Sequence, residues 1–396
     1  MQHHQPKLRL GILAAVLLAV GLSACNRNDT QASQPAASTS GTAGADSSPQ
    51  AMRLGFIESI TGPGAAYGEA HYKGTRLAID LINAEGGVNG QAIEIFAEDD
   101  KSDPTAGINA AKKLISQRNV DVIAGSSASL VTIAFSRENE KSKIPLVVGV
   151  AGSPTITNQG YGYVWRVNVT DNQLDAKAME HFFTEHGKRR FAFLAENSDY
   201  GKPPTKGAAD LIRSLGGEVV AYEEYNRGET DFKAQLTNIR KQNPDVLLVH
   251  GYYTEGSIIA RQVKELGIEG QLVVNMGQGV PKFAELAGNA AEGVIFPTNW
   301  AAGSDPRHAA FEAAFKQKYG TEASAFDAAA FAAVEAIVEA ARRGGGNRAA
   351  DIQKGLAMLD GSETLLGPIQ WDSNNQNDGK VLLARFENGQ IVPVEQ

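Results

Sequence analysis

Residues 52–97 read MRLGFIESITGPGAAYGEAHYKGTRLAIDLINAEGGVNGQAIEIFA, and the order of segments in this stretch decides the fold. Residues 52–57 and 92–97 are short apolar runs of the kind that form buried strands, whereas residues 65–85 carry apolar side chains at the spacing of an amphipathic helix. Two strands joined by such a helix form a βαβ unit of a parallel sheet. The buried face of the predicted helix carries Leu77, Ala78, Leu81 and Ile82.

The same alternation continues along the chain and predicts an α/β protein with two doubly wound halves. The first half has predicted strands at residues 52–57, 92–97, 120–124 and 146–150, with helices at 65–85, 104–118 and 130–141. The second half has predicted strands at residues 191–195, 218–222, 246–250 and 271–275, with helices at 171–186, 231–242 and 255–266 and one that ends at 215. Later helices are predicted at about 305–319, 325–342 and 349–359, and terminal strands at about 368–371 and 380–386. Their order along the chain does not show to which half they belong.

The N-terminus has the layout of a secretory signal peptide. Lys7 and Arg9 precede an apolar run at residues 10–20, and small residues come directly before Cys25. A membrane span needs about 20 apolar residues, and this run is shorter. Residues 22–25 resemble the bacterial lipobox, which implies lipidation of Cys25. We therefore expect residues 1–25 to be a lipoprotein signal peptide that directs the protein to the bacterial cell envelope.

Residues 26–51 contain small and polar side chains and almost nothing that can form a core. Such a segment cannot repay the entropy of ordering, so we expect a flexible linker that tethers a periplasmic body to the membrane through the lipid anchor alone. Cys25 is the single cysteine, which excludes an internal disulfide. The body that follows is too long for one small core and suits two lobes.

Composition and motifs exclude several classes of function. The chain has 37 basic and 45 acidic residues, a net charge of -8, so no nucleic-acid partner is expected. It has no phosphate-binding loop, no Gly-x-Ser-x-Gly nucleophile motif and no cysteine nucleophile, so we expect neither an enzyme nor a cofactor. His181 and His186 are five residues apart, a spacing that does not place them on one helix face for a metal.

Several motifs recur in order along the body and resemble those of the leucine/isoleucine/valine-binding proteins. They are Ile60-Thr61-Gly62-Pro63, Ala66-Tyr67-Gly68, NAEGGVNG at 83–90, EDDKSDP at 98–104, Asp199-Tyr200-Gly201, Gly251-Tyr252, Ala291-Glu292-Gly293 and LGPIQWD at 366–372. The resemblance implies a type I periplasmic binding protein, in which two Rossmann-like lobes are joined by a three-segment hinge and trap a solute. It also implies that lobe 1 holds residues 52–170 and 299–370, and lobe 2 residues 171–298 and 371–396.

Two turns that follow predicted strands offer donors for an anion. The backbone N–H groups and hydroxyls at residues 125–129 and 150–153 can bind a carboxylate, although from the sequence alone helix capping is the commoner role of such serines. The resemblance favours the first role, because the carboxylate-binding loops of the family map onto these turns. A one-residue insertion leaves the contacting serine open. The implied contacts are Ser127, Ala128, Ser129, Val150, Ala151, Gly152 and Ser153, and the implied aromatic walls are Tyr67, Tyr200, Tyr252 and Phe326.

Gln278 departs from the family pattern, because amino-acid binders commonly present an acidic residue to the solute ammonium there. A buried ammonium without a counter-charge is costly, so two explanations compete. Either another acid, among Asp171, Glu255 and Asp327, serves the amine, or the solute is a short carboxylate, an amide or a urea-like compound without an α-amine.

The expected function is capture of a branched-chain amino acid or a related small carboxylate or amide for the permease of an ABC importer. The alternative is a lipoprotein sensor that signals occupancy to a partner protein. A hydrolase is a third class, and turnover of the bound solute would reveal it.

Overall fold

The computed structural model describes residues 51–394, which fold into an α/β body with two sheets. The expected signal peptide, Cys25 and the linker lie outside the described residues, apart from Ala51. The strands are β1 Met52–Glu58, β2 Ile93–Asp99, β3 Val122–Gly125, β4 Leu146–Val148, β5 Val164–Arg166, β6 Arg190–Glu196, β7 Glu218–Tyr225, β8 Val246–His250, β9 Gln271–Val274, β10 Ile295–Thr298, β11 Glu363–Thr364, β12 Gly367–Pro368, β13 Leu382–Glu387 and β14 Gln390–Pro393.

The helices alternate with these strands. They are α1 Ala65–Ala84, α2 Pro104–Ser116, α3 Ser129–Ser142, α4 Asp171–Thr184, α5 Lys202–Ser214, α6 Lys233–Lys241, α7 Tyr253–Glu265, α8 Pro281–Ala287, α9 Ala309–Tyr319, α10 Ala325–Gly344 and α11 Ala349–Leu356. Within residues 51–394, no helix combines the length and the apolar content that crossing a bilayer requires.

Each sheet is the centre of one lobe. The first sheet has strand order β2-β1-β3-β4-β5, and every pair in it is parallel. The second has order β14-β13-β10-β9-β8-β6-β7, in which β6 to β10 are parallel and the two C-terminal strands are antiparallel. The carboxyl ends of parallel strands share one edge of their sheet, which is where open α/β sheets bind ligands. The expected α/β fold with two parallel-sheet lobes is confirmed.

Packing assigns the late helices, which chain order left open. α10 lies along α1 and α11, and its alanine-rich face is buried with strands β1, β3 and β4. Close approach requires glycine at two of these contacts. A β carbon at Gly74 would lie 2.0 Å from the Asp327 carbonyl oxygen, and one at Gly355 would lie 1.8 Å from that of Ala340. α10 and α11 therefore pack with the elements of the first sheet.

Buried amide side chains join the three segments that run between the sheets. Asn168 follows β5, Asn299 follows β10, and Gln376 and Asn377 precede β13. Asn299 Nδ2 donates to Asn168 Oδ1, Gln376 Nε2 donates to the Asn168 carbonyl at 2.8 Å, and Asn377 Nδ2 donates to the Val167 carbonyl at 2.8 Å. These bonds tie the crossovers into one network, which we call the hinge network.

The structure corrects the sequence expectations at several points. Leu81 is 40% exposed, because the buried face of α1 is centred on Leu77, Ala78 and Ile79. No terminal strand forms at 368–371, where only Pro368 lies in a strand, as the end of β12, and the hairpin of β11 and β12 is separate from both sheets. Four elements lacked a clear sequence signal, either because they are short or because a proline interrupts the apolar run, as Pro297 does in β10. They are β5, α8, β10 and β14.

Candidate functional site

A small cavity lies between the two sheets, at the carboxyl ends of their strands. Its volume is about 20 Å³, which is room for about one water molecule. Admission of a larger solute therefore requires the lobes to separate or the side chains to move. The walls are Tyr67, Ser127, Val150, Gly152, Asp171, Tyr200, Tyr252, Met276, Gly277 and Phe326.

The cavity brings together seven of the twelve expected contact residues, namely Tyr67, Ser127, Val150, Gly152, Tyr200, Tyr252 and Phe326. The other five, Ala128, Ser129, Ala151, Ser153 and Gln278, lie beside it and do not form its walls. Two wall residues, Met276 and Gly277, were not expected, and Asp171 was expected only as one of three candidate acids for the solute amine. Met276 and Gly277 lie two and three residues after the end of β9, so their position after a strand of the second sheet was the signal that could have identified them.

The aromatic side chains form a continuous cluster that spans both lobes. The ring centroid of Tyr67 lies 5.1 Å from that of Phe326 and 6.0 Å from that of Tyr252, which in turn lies 4.8 Å from Tyr200. The guanidinium of Arg227 lies 4.0 Å above the Tyr252 ring. Aromatic rings supply large apolar area with polar ends, which suits the wall of a small-molecule site.

Hydrogen bonds hold the lobes together across the cavity. The Tyr67 hydroxyl donates to the Gly277 carbonyl and accepts from the Tyr253 N–H at 3.2 Å. The Tyr253 hydroxyl donates to the Pro63 carbonyl at 3.2 Å, and the Ser153 hydroxyl donates to the Asp199 carbonyl at 2.9 Å. This form of the protein is therefore closed.

Most donors of the serine-rich turn at residues 126–129 are used within the first lobe. The Ser126 N–H donates to the Thr132 hydroxyl at 3.2 Å, and the Ala128 N–H donates to the Ser126 hydroxyl at 3.1 Å. Ser129 opens α3, and its hydroxyl accepts from the Ser153 N–H at 3.3 Å. Ser127 alone reaches the cavity, and both its N–H and its hydroxyl donate to Glu58.

The turn at residues 150–153 is held from the hinge side through its carbonyl groups. Asn168 Nδ2 donates to the Val150 carbonyl at 3.0 Å, and the Asp171 N–H donates to the Gly152 carbonyl at 2.9 Å. Arg166 Nη1 donates to the carbonyls of Ala151 and Ser153, at 3.2 and 2.6 Å. The hinge network thus fixes the backbone of a cavity wall.

Asp171 is the one carboxylate on the cavity wall among the described residues. The pKa of Asp171 is raised to about 6, mainly by burial. The charge of Asp175 also acts to raise this pKa, whereas the charges of His250 and Arg166 act to lower it. The Oδ2 atom of Asp171 is buried without a hydrogen-bond partner and lies 3.8 Å from His250 Nε2. Asp171 is therefore placed to receive a donor group from a solute.

His250 lies beneath this carboxylate. Its Nδ1 atom lies 2.6 Å from Asp175 Oδ2. Burial lowers the pKa of His250, but the charges and hydrogen bond of the neighbouring carboxylates outweigh it, so the net shift is upward. The imidazole is thus held between Asp175 and Asp171, which favours its protonated form.

Gln278 faces the interior of the second lobe. Its Nε2 atom donates to the Val249 carbonyl at 2.9 Å and to Asn275 Oδ1 at 2.8 Å. Of the three alternative acids, Glu255 accepts from the Gly228 N–H at 2.9 Å and Asp327 caps α10 through Ser324, so neither lines the cavity. Only Asp171 can meet a solute amine directly.

A second pair of titratable groups lies outside the cavity. His186 follows the end of α4, so the chain turns back and places its Nε2 atom 3.1 Å from that of His181. Within residues 51–394, however, no group of three or more potential ligands converges on a common metal position.

Comparison with known proteins gives a consistent family match. The family model described as periplasmic binding protein matches residues 51–390. The leucine-specific-binding protein of Salmonella typhimurium is 26% identical over 328 residues, which are 83% of this chain and 88% of that protein. The Leu/Ile/Val-binding protein homolog 1 of Brucella suis is 29% identical over 322 residues, 81% of this chain and 85% of that protein.

A solved structure agrees with these matches. The branched-chain amino acid transporter substrate-binding protein LivJ from Streptococcus pneumoniae, in complex with isoleucine, superposes with a TM-score of 0.79 and 28% identity. The superposition covers 87% of this chain and 100% of that structure.

Proposed function

The chain belongs to the type I periplasmic binding proteins of the leucine/isoleucine/valine-binding family, and from this premise we propose that it captures a branched-chain amino acid or a related small carboxylate or amide for an ABC importer. This is a family of non-enzymatic solute-binding proteins that act outside the cytoplasm. The family membership confirms the expectation from the sequence that the protein is not an enzyme. The observation that carries the proposal is the cavity between the lobes, with its aromatic walls and the unpaired carboxylate of Asp171.

The apolar part of the solute lies against the aromatic cluster in this proposal. Tyr67 and Phe326 come from the first lobe, and Tyr200 and Tyr252 come from the second. A solute between them contacts both lobes at once and therefore favours the closed form, because a ligand shifts an equilibrium only through its differential affinity. The permease of the importer then recognises the closed shape.

The polar end of the solute lies against Asp171 and the Tyr252 hydroxyl, which also lacks a partner among the described residues. The carboxylate accepts an ammonium or amide N–H, and the hydroxyl donates to an oxygen of the solute. Two buried unpaired polar atoms on one cavity wall are costly unless a ligand pairs with them. Asp171 thereby takes the role that the family resemblance assigns to an acidic residue at position 278.

The lobe boundaries and the membrane anchor are further parts of the proposal. Lobe 1 comprises residues 52–170 and 299–370, and lobe 2 comprises residues 171–298 and 371–396. Lipidation at Cys25 tethers the body to the envelope through residues 26–51. Cys25→Ser should release the protein from the membrane fraction into the soluble periplasmic fraction, and retention in the membrane would contradict the lipid anchor.

Native mass spectrometry of the purified protein tests the solute class, because it identifies a carried-over ligand without presuming its chemistry. We expect a mass that matches a small branched amino acid, carboxylate or amide, and a thermal-shift titration with that compound should raise the melting temperature. Deletion of the gene should then abolish uptake of the compound. Normal uptake with an altered transcriptional or motile response would favour the sensor alternative, and a bound compound of another class would contradict the proposal.

A further inference from the structure

Glu58 is a buried carboxylate directly behind the serine-rich turn of the first lobe. It is the last residue of β1 and is fully buried. Its oxygens accept from the Ser59 N–H at 2.8 Å, from the Ser127 N–H at 2.9 Å and from the Ser127 hydroxyl at 2.5 Å. His71 Nδ1 also lies within hydrogen-bond distance of Glu58 Oε2. The carboxylate is thus held by three N–H or O–H donors and also faces the His71 imidazole, which is the environment expected for a bound anion.

This arrangement changes what Ser127 can offer to a solute. Ser127 is the single residue of its turn that reaches the cavity, yet its N–H and its hydroxyl hydrogen are both directed to Glu58. The serine therefore presents a hydroxyl lone pair to the cavity, which accepts a hydrogen bond. The donors expected to bind a solute carboxylate are occupied by a carboxylate of the protein itself.

Charge in the surroundings acts in the same direction. Asp100 lies on the other side of Ser59, whose hydroxyl donates to Asp100 Oδ1 at 2.7 Å, and Asp171 lies on the cavity wall. Among the described residues, no lysine or arginine belongs to the wall, and Arg166 is bonded to backbone carbonyls behind it. An added carboxylate near Ser127 would meet the carboxylates of Glu58 and Asp171, while His71 and His250 lie behind the wall and are already paired with carboxylates of the protein.

We propose that the site selects a solute whose polar end at Ser127 is a neutral or cationic hydrogen-bond donor, such as a carboxamide, over a carboxylate of the same shape, and that Glu58 determines this specificity. The inference rests on the proposed function, because it concerns the solute of that same cavity. It also resolves the choice between carboxylates and amides that the sequence left open.

The test compares two matched pairs of compounds by isothermal titration calorimetry at pH 7.5. Leucinamide and leucine differ at the carboxyl end and retain the amine, and isovaleramide and isovalerate differ in the same way without an amine. We expect the wild-type protein to bind the amide of each pair about tenfold or more tightly than the carboxylate, because the carboxylate alone meets the charge of Glu58.

Two substitutions assign the preference to Glu58. Glu58→Gln removes the charge and should reduce the amide-to-carboxylate affinity ratio about tenfold or more. Glu58→Asp keeps the charge, so the preference for the amide should persist. Glu335→Gln is the matched control, because Glu335 is also a largely buried acid of the first lobe that accepts a backbone N–H, from Leu365 at 2.7 Å, and it lies outside the cavity wall. A purely structural effect would change both affinities together and leave the ratio constant.

Each possible result supports or contradicts a named part of the inference. Tighter binding of the carboxylates by the wild-type protein overturns the inference and leaves the proposed function intact. An amide preference that survives in Glu58→Gln overturns the role of Glu58. If Glu58→Gln does not fold, the wild-type ratio and that of Glu58→Asp still decide whether the preference exists. Binding of neither member of either pair, together with another class of ligand in native mass spectrometry, contradicts the proposed function itself and the inference with it.

Discussion

At the scale of single residues, the binding role that we propose for Asp171 comes at the expense of stability. Its pKa is raised to about 6 by burial, so the folded protein holds a proton that the unfolded chain releases between about pH 4 and pH 6. The free energy of unfolding contributed by this group therefore falls as pH rises through that window. Above pH 6 the carboxylate is charged and buried, which is unfavourable for the free protein and favourable for an ammonium-bearing solute.

Asp171→Asn tests this trade-off. We expect the free protein to gain roughly 1–3 kcal/mol of unfolding free energy at pH 7.5, since a pKa shift of one unit corresponds to about 1.4 kcal/mol. Urea denaturation of wild type and variant from pH 4.5 to 7.5 measures this, and the difference should shrink toward the acid end. Calorimetry should show that wild-type affinity for leucinamide falls below pH 6, while the weaker affinity of the variant changes little with pH. A pH-independent wild-type affinity would contradict the role of Asp171.

Tyr252→Phe removes a hydroxyl that has no partner in the described part of the chain. The ring contacts remain, so the melting temperature should stay within about one degree of wild type, whereas solute affinity should fall roughly 3- to 10-fold if the hydroxyl donates to the solute. Tyr222→Phe is the matched control, because its hydroxyl pairs with Thr205 at 2.7 Å away from the cavity. Equal solute affinities in wild type and Tyr252→Phe would remove this hydroxyl from the site.

Between elements, the decisive contact is that of Arg166 with the 150–153 turn and the hinge network. The guanidinium is fully buried, and burial lowers its pKa to about 10. The negative charges of Asp171 and Asp372 act in the opposite direction and raise this pKa. Besides the carbonyls of the turn, the guanidinium donates to Gln376 Oε1 and to the Thr157 hydroxyl at 3.2 Å. One side chain therefore connects a crossover segment with a cavity wall.

Arg166→Lys keeps the charge but cannot supply the planar set of donors. Several buried acceptors would lose their partner, at roughly 1–3 kcal/mol each, so we expect a marked loss of unfolding free energy and weaker solute binding. Gly355→Ala is a control that disturbs the contact of α10 with α11 away from the cavity. It should lower the melting temperature without changing affinity. If Arg166→Lys also retained wild-type affinity, the hinge network would have no part in shaping the site.

For the whole molecule, the balance between open and closed forms depends on few contacts across the cleft. The Tyr67 hydroxyl takes part in two of them, with Gly277 and Tyr253. Since a solute shifts this balance only by its differential affinity, the strength of these contacts sets how much the free protein is already closed. Too strong a closure would slow entry of the solute.

Tyr67→Phe should shift the free protein toward the open form. We expect a larger radius of gyration by small-angle scattering without solute, and recovery of the compact value when solute saturates the variant, because the aromatic contacts remain. The wild-type protein should show a smaller change on binding. Identical scattering of the free wild-type and Tyr67→Phe proteins would mean that these hydrogen bonds do not govern closure.

The sequence by itself determined the α/β class, most strands and helices, and the turns that reach the cavity, because apolar periodicity and turn residues act over short spans of chain. The resemblance of its motifs also indicated the four aromatic walls, all of which line the cavity. Each of these features is encoded by residues close together in the sequence, so it can be predicted without knowledge of its tertiary contacts.

Only the tertiary structure decided which residues meet across long separations. It placed α10 against α1, chose Asp171 over Glu255 and Asp327 as the acid of the cavity, and turned Gln278 into the interior. The pairing of Glu58 with Ser127 joins positions 69 residues apart, and that of Tyr67 with Gly277 joins positions 210 apart. Such contacts leave no periodic signal in the chain, because they depend on how elements far apart in sequence pack within each lobe and across the cleft.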